Sequence, residues 1–296
     1  MSETHCGIVA IIGAPNAGKS TLVNRLVGQK VSIVTHKAQT TRSAVRGVAI
    51  RGETQLILVD TPGVFAPKRR LDRAMVRAAW DGAGDADAVV HVVDAAAFND
   101  DDPITKRLAE QQRKATLVLN KADIAKKEDL LETARHYSLA GPYADVFMIS
   151  AATGSGVEDL AAFLAKAMPK GPWLFPEDQV SDAPQLMLAA EITREKLMLR
   201  LHDELPYQAT VETEQWKEMK DGSARLEQTI YVARDSQKKI AIGAGGETVK
   251  AIGAAARAEM EQVFDRRIHL FLFVKVRENW AEERARYTAL GLDFDA

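Results

Sequence analysis

Eight residues near the start of the chain, Gly13-Ala14-Pro15-Asn16-Ala17-Gly18-Lys19-Ser20, carry the spacing G-x-x-x-x-G-K-S. Glycines at the ends of such a turn let backbone N–H groups point inward at phosphate oxygens, and the positive end of a following helix reinforces them. Lys19 is then placed to reach the β- and γ-phosphates, and the hydroxyl of Ser20, followed by Thr21, to hold Mg²⁺. Three later stretches complete the chemistry of a nucleoside triphosphate site. Asp60-Thr61-Pro62-Gly63 offers a carboxylate that can hold Mg²⁺ through water and a glycine N–H that can approach the γ-phosphate. Asn120-Lys121-Ala122-Asp123 offers a carboxylate, Asp123, that accepts from both guanine N1–H and N2–H, whereas adenine would leave it unpaired. Ser150-Ala151-Ala152 adds a backbone N–H for guanine O6.

These groups need elements that hold them at one edge. Residues 8–12 are a short apolar run of buried-strand type, and Leu22, Leu26 and Val27 fall at helical spacing, so the glycine turn joins a strand to a helix. "LILVD", "TLVLN" and "VFMIS" predict three further strands, each ending on a motif. The polar, threonine-rich stretch "VSIVTHKAQTTRSAVRG" suits a mobile loop in which Thr40 or Thr41 closes over Mg²⁺; Thr41 is the preferred residue, and a solvated strand edge is the plainer alternative. Val64 follows Gly63 at the place where many GTPases carry a glutamine that orients water. With no polar group there, hydrolysis is expected to be slow, or to use a water positioned by backbone and a cation. Asn16 is the candidate ligand for that cation, K⁺, or else a turn former tolerant of left-handed geometry.

Residues 165–184, "AKAMPKGPWLFPEDQVSDAP", hold four of the ten prolines and read as a semi-rigid linker. Beyond it, Ser181 or Asp182 caps a helix with Ala190, Leu197 and Leu201 at whole turns, stopped by Pro206. Two period-2 stretches separated by Asp221-Gly222 predict a hairpin. Helical periodicity then flanks Gly243-Ala244-Gly245-Gly246 before "RIHLFLFVKV" returns to strand. A glycine loop of this kind is by default a helix cap or plain turn. Here Arg234, Lys238, Lys239 and Ile242 precede it and Lys250 and Arg257 follow, a setting in which an RNA backbone can approach closely and have its charge balanced.

A chain of 296 residues, 46% hydrophobic and 27% charged, has the balance of a globular protein with room for two domains. A net charge of -2 argues against bulk polyanion binding, and residues 181–296 hold 17 Lys+Arg against 20 Asp+Glu, so any RNA site must be a local patch. The single cysteine, Cys6, excludes an intramolecular disulfide and reads as a small buried hydrophobe. No signal peptide or membrane-spanning run is visible, and a cytoplasmic location is expected.

GAPNAGKS, KAQTTR, DTPG, NKAD and SAATG, followed by the helix-strand-strand-helix-GAGG-helix-strand order, resemble the Era family of bacterial GTPases across almost the entire chain. "EITREKLM", "ELPY", "QKKIAIG" and "VKVRENWA" are similar to Era rather than to GTPases in general. The resemblance implies an α/β Ras-like P-loop GTPase domain over 1–168, a proline-rich linker over 169–184, an α+β type II KH domain over 185–280 and a tail over 281–296. It implies GTP and GDP as ligands, with Mg²⁺ held by Ser20, Thr41 and Asp60 and catalytic contributions from Lys19, Thr41, Asp60 and Gly63. It further implies RNA rather than DNA as partner, namely 16S ribosomal RNA near its 3′ end, a role in maturation of the 30S subunit, and peripheral contact with the inner membrane as a second location. Val64 fits the family's hydrophobic substitution for glutamine. Gly245 stands where the family often has lysine, which removes one phosphate contact. A metabolic P-loop kinase would share the first loop but has no reason to carry Asn120-Lys121-x-Asp123; a switch acting only through protein partners would use the second half for docking.

Overall fold

The computed structural model describes residues 3–37, 39–67, 69–97, 99 and 101–296, so Ala38 of the threonine-rich stretch lies outside the described residues. The chain forms two compact units, Met1–Ser32 with Thr41–Asp182 and Leu290–Ala296, and Ile33–Thr40 with Ala183–Ala289.

The first unit is built on six strands, β1 (His5–Gly13), β2 (Val45–Arg51), β3 (Thr54–Asp60), β4 (Ala88–Asp94), β5 (Ala115–Asn120) and β6 (Tyr143–Met148), in the order β2-β3-β1-β4-β5-β6. Only β2 runs antiparallel to its neighbour. The inner strands are covered on both faces by α1 (Lys19–Val27), α2 (Arg70–Gly84), α3 (Pro103–Glu110), α4 (Lys127–Ala140) and α5 (Val157–Ala167), which is why β1, β3 and β5 read as unbroken apolar runs. Parallel strands deliver their carboxyl ends, and the motifs that follow them, to one edge of the sheet.

Three expectations change here. Residues 169–182 are a strap on the first unit, not the semi-rigid linker expected over 169–184. Prolines remove donors, but the remaining backbone groups find partners: Cys6 N–H donates to Pro169 O (3.1 Å) and Val48 N–H to Val180 O (2.9 Å). The fully buried Gln55 accepts from the N–H groups of Leu174 (2.9 Å) and Phe175 (3.0 Å) and donates to Phe175 O (2.8 Å). The first unit therefore runs to residue 182 rather than 168. Asp182 caps nothing, because its carboxylate takes the Arg46 N–H and guanidinium (both 3.3 Å). The expected tail also divides: residues 290–296 return to α2, where Arg77 pairs with Asp293 (3.1 Å) and Arg70 lies 4.5 Å over the Phe294 ring.

In the second unit α6 (Gln185–Arg200) begins after Pro184, and Pro206 falls in a single 3-10 turn, Leu205–Gln208. Then come β7 (Ala209–Glu218), β8 (Ala224–Val232), α7 (Asp235–Ile242), α8 (Glu247–Val263), β9 (Ile268–Val276) and α9 (Arg284–Ala289). The sheet order is β7-β8-β9, with the hairpin antiparallel and β8 parallel to β9. The apolar sides of α6 and α8, with Ala189, Ile192, Ala256 and Met260, bury Leu226 and Ile268 of the sheet. The segment Ile33–Thr40 belongs to this unit through α6: Glu195 accepts the Val34 N–H (2.8 Å), Lys37 donates to Leu201 O, and the buried Arg194, ion-paired to Glu191, donates to Thr40 O. Among the described residues no helix is long and apolar enough to cross a membrane.

A polar cluster lies inside the first unit. His91 on β4 is buried, with Nδ1 2.7 Å from Tyr143 Oη and Nε2 3.5 Å from Asp102, which also takes the Thr105 hydroxyl (2.7 Å) and caps α3. Burial pushes the imidazole pKa down to about 4, against the opposing pull of Asp102 and with a smaller push from Lys19. The unfolded chain takes up this proton near pH 6.5 while the fold refuses it until about 4, so stability falls as pH drops through that window, by on the order of 3 kcal/mol from this group. His91→Gln is expected to flatten the fall of the urea-unfolding midpoint between pH 6.5 and 4.5; equal slopes would mean that His91 accepts its proton inside the fold.

Candidate functional site

The site grows from the turn between β1 and α1. Gly18 adopts φ +95°, and a Cβ there would stand 2.2 Å from Asn120 Nδ2, so the position needs glycine. The turn carries Lys19 inward, where its ammonium, buried at 6% exposure, donates to Gly13 O (3.0 Å) and Ala14 O (2.9 Å). Burial pushes the Lys19 pKa down to about 8, opposed by Asp60, so the group still carries its charge at neutral pH.

Asp60 ends β3 with no solvent exposure. One carboxylate oxygen, Oδ2, accepts from the Ser20 hydroxyl (2.6 Å) and from Thr41 Oγ1 (3.4 Å), and the two hydroxyls lie 3.0 Å apart. The three residues expected to hold Mg²⁺ thus converge. Of the two threonine candidates, Thr41 is in this cluster, while the Thr40 hydroxyl bonds Thr35 Oγ1 (2.6 Å) and Lys37 O (2.7 Å). Burial raises the Asp60 pKa, and the Ser20 hydroxyl and Lys19 charge pull it back. Its other oxygen, Oδ1, is buried without a hydrogen-bond partner. An orphaned hard-oxygen atom on a carboxylate whose other oxygen takes two hydroxyls, within reach of a lysine's charge, suits Mg²⁺, which keeps several waters and takes few protein ligands beside a phosphate chain.

Thr61 is fully buried and donates to Ile11 O (2.7 Å), which locks the start of the Asp60–Gly63 turn. Gly63 lies so close to the glycine turn that a Cβ would meet Pro15 N at 2.9 Å. Val64 N–H donates to Gly13 O (3.1 Å), and its side chain is buried with Ile12, Ala79 and Trp80, which gives a hydrophobic residue at this position a packing role. Asn16 is exposed at φ +64°, in the geometry of the turn-former reading.

The base-side motifs are joined by Asn120. Its Nδ2 donates to Ala17 O (2.8 Å) and its Oδ1 accepts the Ala151 N–H (2.9 Å), so one buried amide staples the phosphate turn to the Ser150–Ala152 turn. The Ala151 N–H is thereby engaged within the fold. Ser150 Oγ accepts the Thr153 N–H (3.2 Å). Lys121, at φ +65°, pairs with Asp94 (2.6 Å), and Asp123 is exposed at the rim. The sequence reading missed Asp94 and also Arg25, which donates to Ala151 O (3.2 Å) and Ala152 O; Asp94 ends an apolar strand as Asp60 does, and that was the available signal.

In the second unit Gly243-Ala244-Gly245-Gly246 joins α7 to α8 through a single 3-10 turn, with φ +77°, +57° and +79° at its three glycines. Arg234, Lys239, Ala244, Gly245 and Lys250 are exposed around it, Lys238, Ile242 and Gly246 half-buried. Lys250 Nζ reaches Gly245 O at 3.5 Å.

A Ras-like sheet with a phosphate turn, an Asp-Thr-Pro-Gly turn and an Asn-Lys-x-Asp turn on one edge defines a P-loop GTPase, and the α-β-β-α-α-β unit with its glycine loop defines a type II KH domain. Family models agree: one described as "50S ribosome-binding GTPase" matches residues 8–121 and one described as "KH domain" matches 204–281. GTPase Era of Caulobacter vibrioides is 58% identical, with 99% of this chain and 98% of the relative covered, and GTPase Era of Brucella suis is 59% identical, with 99% and 95% covered. Two solved structures, a single-residue variant of Aquifex aeolicus Era bound to GDP.AlF4- and Era in complex with MgGDPNP and nucleotides 1506-1542 of 16S ribosomal RNA, each match with TM-score 0.89 at 35% identity over 97% of this chain and 99% of theirs. The chain belongs to the Era family of GTPases.

Removing the staple tests the base-side geometry. Asn120→Ala orphans a buried carbonyl and a buried N–H, about 1–3 kcal/mol for each group, so GDP affinity measured with a fluorescent analogue is expected to fall at least tenfold. An unchanged affinity would mean that the two turns hold their positions without it.

Proposed function

We propose that this protein is a GTP-dependent switch that binds 16S ribosomal RNA near its 3′ end and assists processing and assembly of the 30S subunit. It acts in the cytoplasm, with peripheral contact at the inner membrane as a second location. The observation that carries the switch is the convergence of the Thr41 hydroxyl, from a threonine-rich loop, with Ser20 and Asp60, the arrangement of a loop that closes on the cation site when the γ-phosphate is present. The Era complex with MgGDPNP and 16S nucleotides supports the choice of RNA, and the exposed cations around residues 243–246 supply the phosphate contacts.

Gly13, Ala14, Pro15, Asn16, Ala17, Gly18 and Thr21 wrap the phosphates, Lys19 balances their charge, and Ser20, Thr41 and Asp60 hold Mg²⁺. That ion, when bound, draws charge from the β- and γ-phosphates as the terminal bond breaks. Gly63 N–H faces the γ-phosphate, with Thr61 and Pro62 shaping its turn. Asp123 reads guanine N1–H and N2–H, Ala152 N–H reads O6, and Lys121 lies along the base. Since Val64 is occupied in packing, backbone groups would orient the water, and the Asn16 carbonyl would hold a K⁺ that would supply positive charge beside the phosphates. Hydrolysis is then expected to run faster in K⁺ than in Na⁺ at equal ionic strength, with Asn16→Ala abolishing the difference; equal rates in both salts would leave Asn16 as a turn former only.

RNA binding is tested directly. Ala244→Asp with Gly245→Asp puts two negative charges where phosphates must approach, and affinity for a short single-stranded RNA matching the 16S 3′ end is expected to fall more than tenfold, with the thermal unfolding midpoint as a check on folding. Retained affinity would remove this loop from the RNA site.

A further inference from the structure

Arg25 on α1 is exposed, yet its guanidinium is given wholly to one turn of backbone. Nε donates to Ala151 O (3.2 Å) and Nη2 to Ala152 O, and among the described residues no carboxylate pairs with it. These two donors lie side by side on one edge of a rigid planar fork, so a single side chain fixes two successive peptide planes. In a trans peptide the carbonyl and the next N–H point in opposite directions. Holding Ala151 O toward α1 therefore turns the Ala152 N–H away from α1, and holding Ala152 O does the same for the Thr153 N–H. The other donors of the turn are all engaged within it or with Asn120. Ser150 N–H donates to Ser155 O (2.9 Å), Ala151 N–H to Asn120 Oδ1 (2.9 Å), Thr153 N–H to Ser150 Oγ (3.2 Å), Gly154 N–H to Ser150 O (2.7 Å) and Ser155 N–H to Thr153 Oγ1 (3.4 Å). From 150 to 155 only the Ala152 N–H has no partner among the described residues, and Ala152 is exposed.

What that donor serves follows from its neighbours. Asn120, which takes the Ala151 N–H, opens the turn that carries Asp123, so the uncommitted N–H stands next to the support of the group proposed to read guanine N1–H and N2–H. We infer that Arg25 is a positioning residue for base selection: by fixing the peptide plane between residues 151 and 152 it presents the Ala152 N–H to the 6-oxygen of a guanine nucleotide. This rests on the proposed reading of Ala152 as the O6 donor. A donor held in one direction favours an acceptor at position 6 of the purine and opposes the amino group that adenine carries there, so Arg25 contributes to specificity without touching the nucleotide. It also spares the nucleotide the cost of ordering the turn on binding. A lysine could not replace it, because one ammonium on a flexible stem does not hold two carbonyls in fixed planes.

The test is competition of GDP and of 6-thio-GDP against a fluorescent GDP analogue on the full-length protein. The thio nucleotide keeps N1–H and the 2-amino group for Asp123 but offers a weakly accepting sulfur at position 6, so the ratio of the two affinities reports the Ala152 contact. For Arg25→Ala the GDP affinity is expected to fall about three- to tenfold, the size of one hydrogen bond, while the 6-thio-GDP affinity stays near the wild-type value, so that the ratio collapses. Arg25→Lys, which keeps the charge and loses the fork, should show the same collapse. If Arg25→Ala does not fold, as the thermal unfolding midpoint will show, Arg25→Lys decides. An unchanged ratio, whether both affinities fall together as a charge acting on the phosphates or a general loosening would make them, or neither falls, would overturn the inference and leave Arg25 a surface contact. A wild-type protein that binds the two nucleotides equally would instead overturn the reading of Ala152 as the O6 donor beneath it.

Discussion

A carboxylate with no solvent exposure, at the end of a strand in the middle of a sheet, is the constraint around which the first unit is arranged. Asp60 is expensive to bury as an anion unless it is surrounded by donors and opposite charge. The surroundings come from three separate stretches: Ser20 and Lys19 from the phosphate turn, Thr41 from the far end of the threonine-rich loop, and Ser32 from its near end. Each is useful to a bound nucleotide only because Asp60 has drawn it to one point. Lys19 and Asp60 show the reciprocity, since burial disfavours both charges and each partly restores the other.

Asn120 does for the base side what Asp60 does for the phosphate side, by a different means. A neutral amide makes both its bonds to backbone, one to Ala17 and one to Ala151. It therefore sets the distance between two turns without taking a charge into the interior. Asp94 and Arg25 hold the remaining freedom, the first through Lys121 and the second through the carbonyls of Ala151 and Ala152. Asp123, the acidic residue proposed to read the base, can then stand exposed on a support fixed by others.

The parts of this arrangement that depend on local chemistry were legible in the sequence. Gly18, Lys19 and Ser20 must be adjacent to do their work, and apolar runs ending at Asp60 and Asn120 announce strands whose carboxyl ends share an edge. The α-β-β-α-α-β order was legible for the same reason, with Asp221-Gly222 marking the hairpin and residues 243–246 the break between helices. What was not legible depends on partners distant in sequence. Proline content made residues 169–184 look like a spacer, because nothing local shows that the Gln55 amide will bond three backbone groups there. Asp182 looked like a helix cap because Arg46 is 136 residues away. Ser32 carried no signal at all, because its place beside Asp60 exists only in three dimensions.

The membership of Ile33–Thr40 in the second unit has a consequence for how the protein is made. A chain emerging from the ribosome delivers every strand of the GTPase sheet well before α6, yet the segment between Ser32 and Thr41 finds Glu195, Arg194 and Leu201 only when that helix has been synthesised. At roughly 5–20 residues per second, the stretch from residue 148, where the sheet is complete, to residue 201 takes about three to ten seconds. For that interval the nascent protein holds a finished phosphate turn beside a loop whose partners do not yet exist. Vectorial synthesis thus orders assembly in time: Lys19, Ser20 and Asp60 first, and the segment Ile33–Thr40 secured only when α6 has been made.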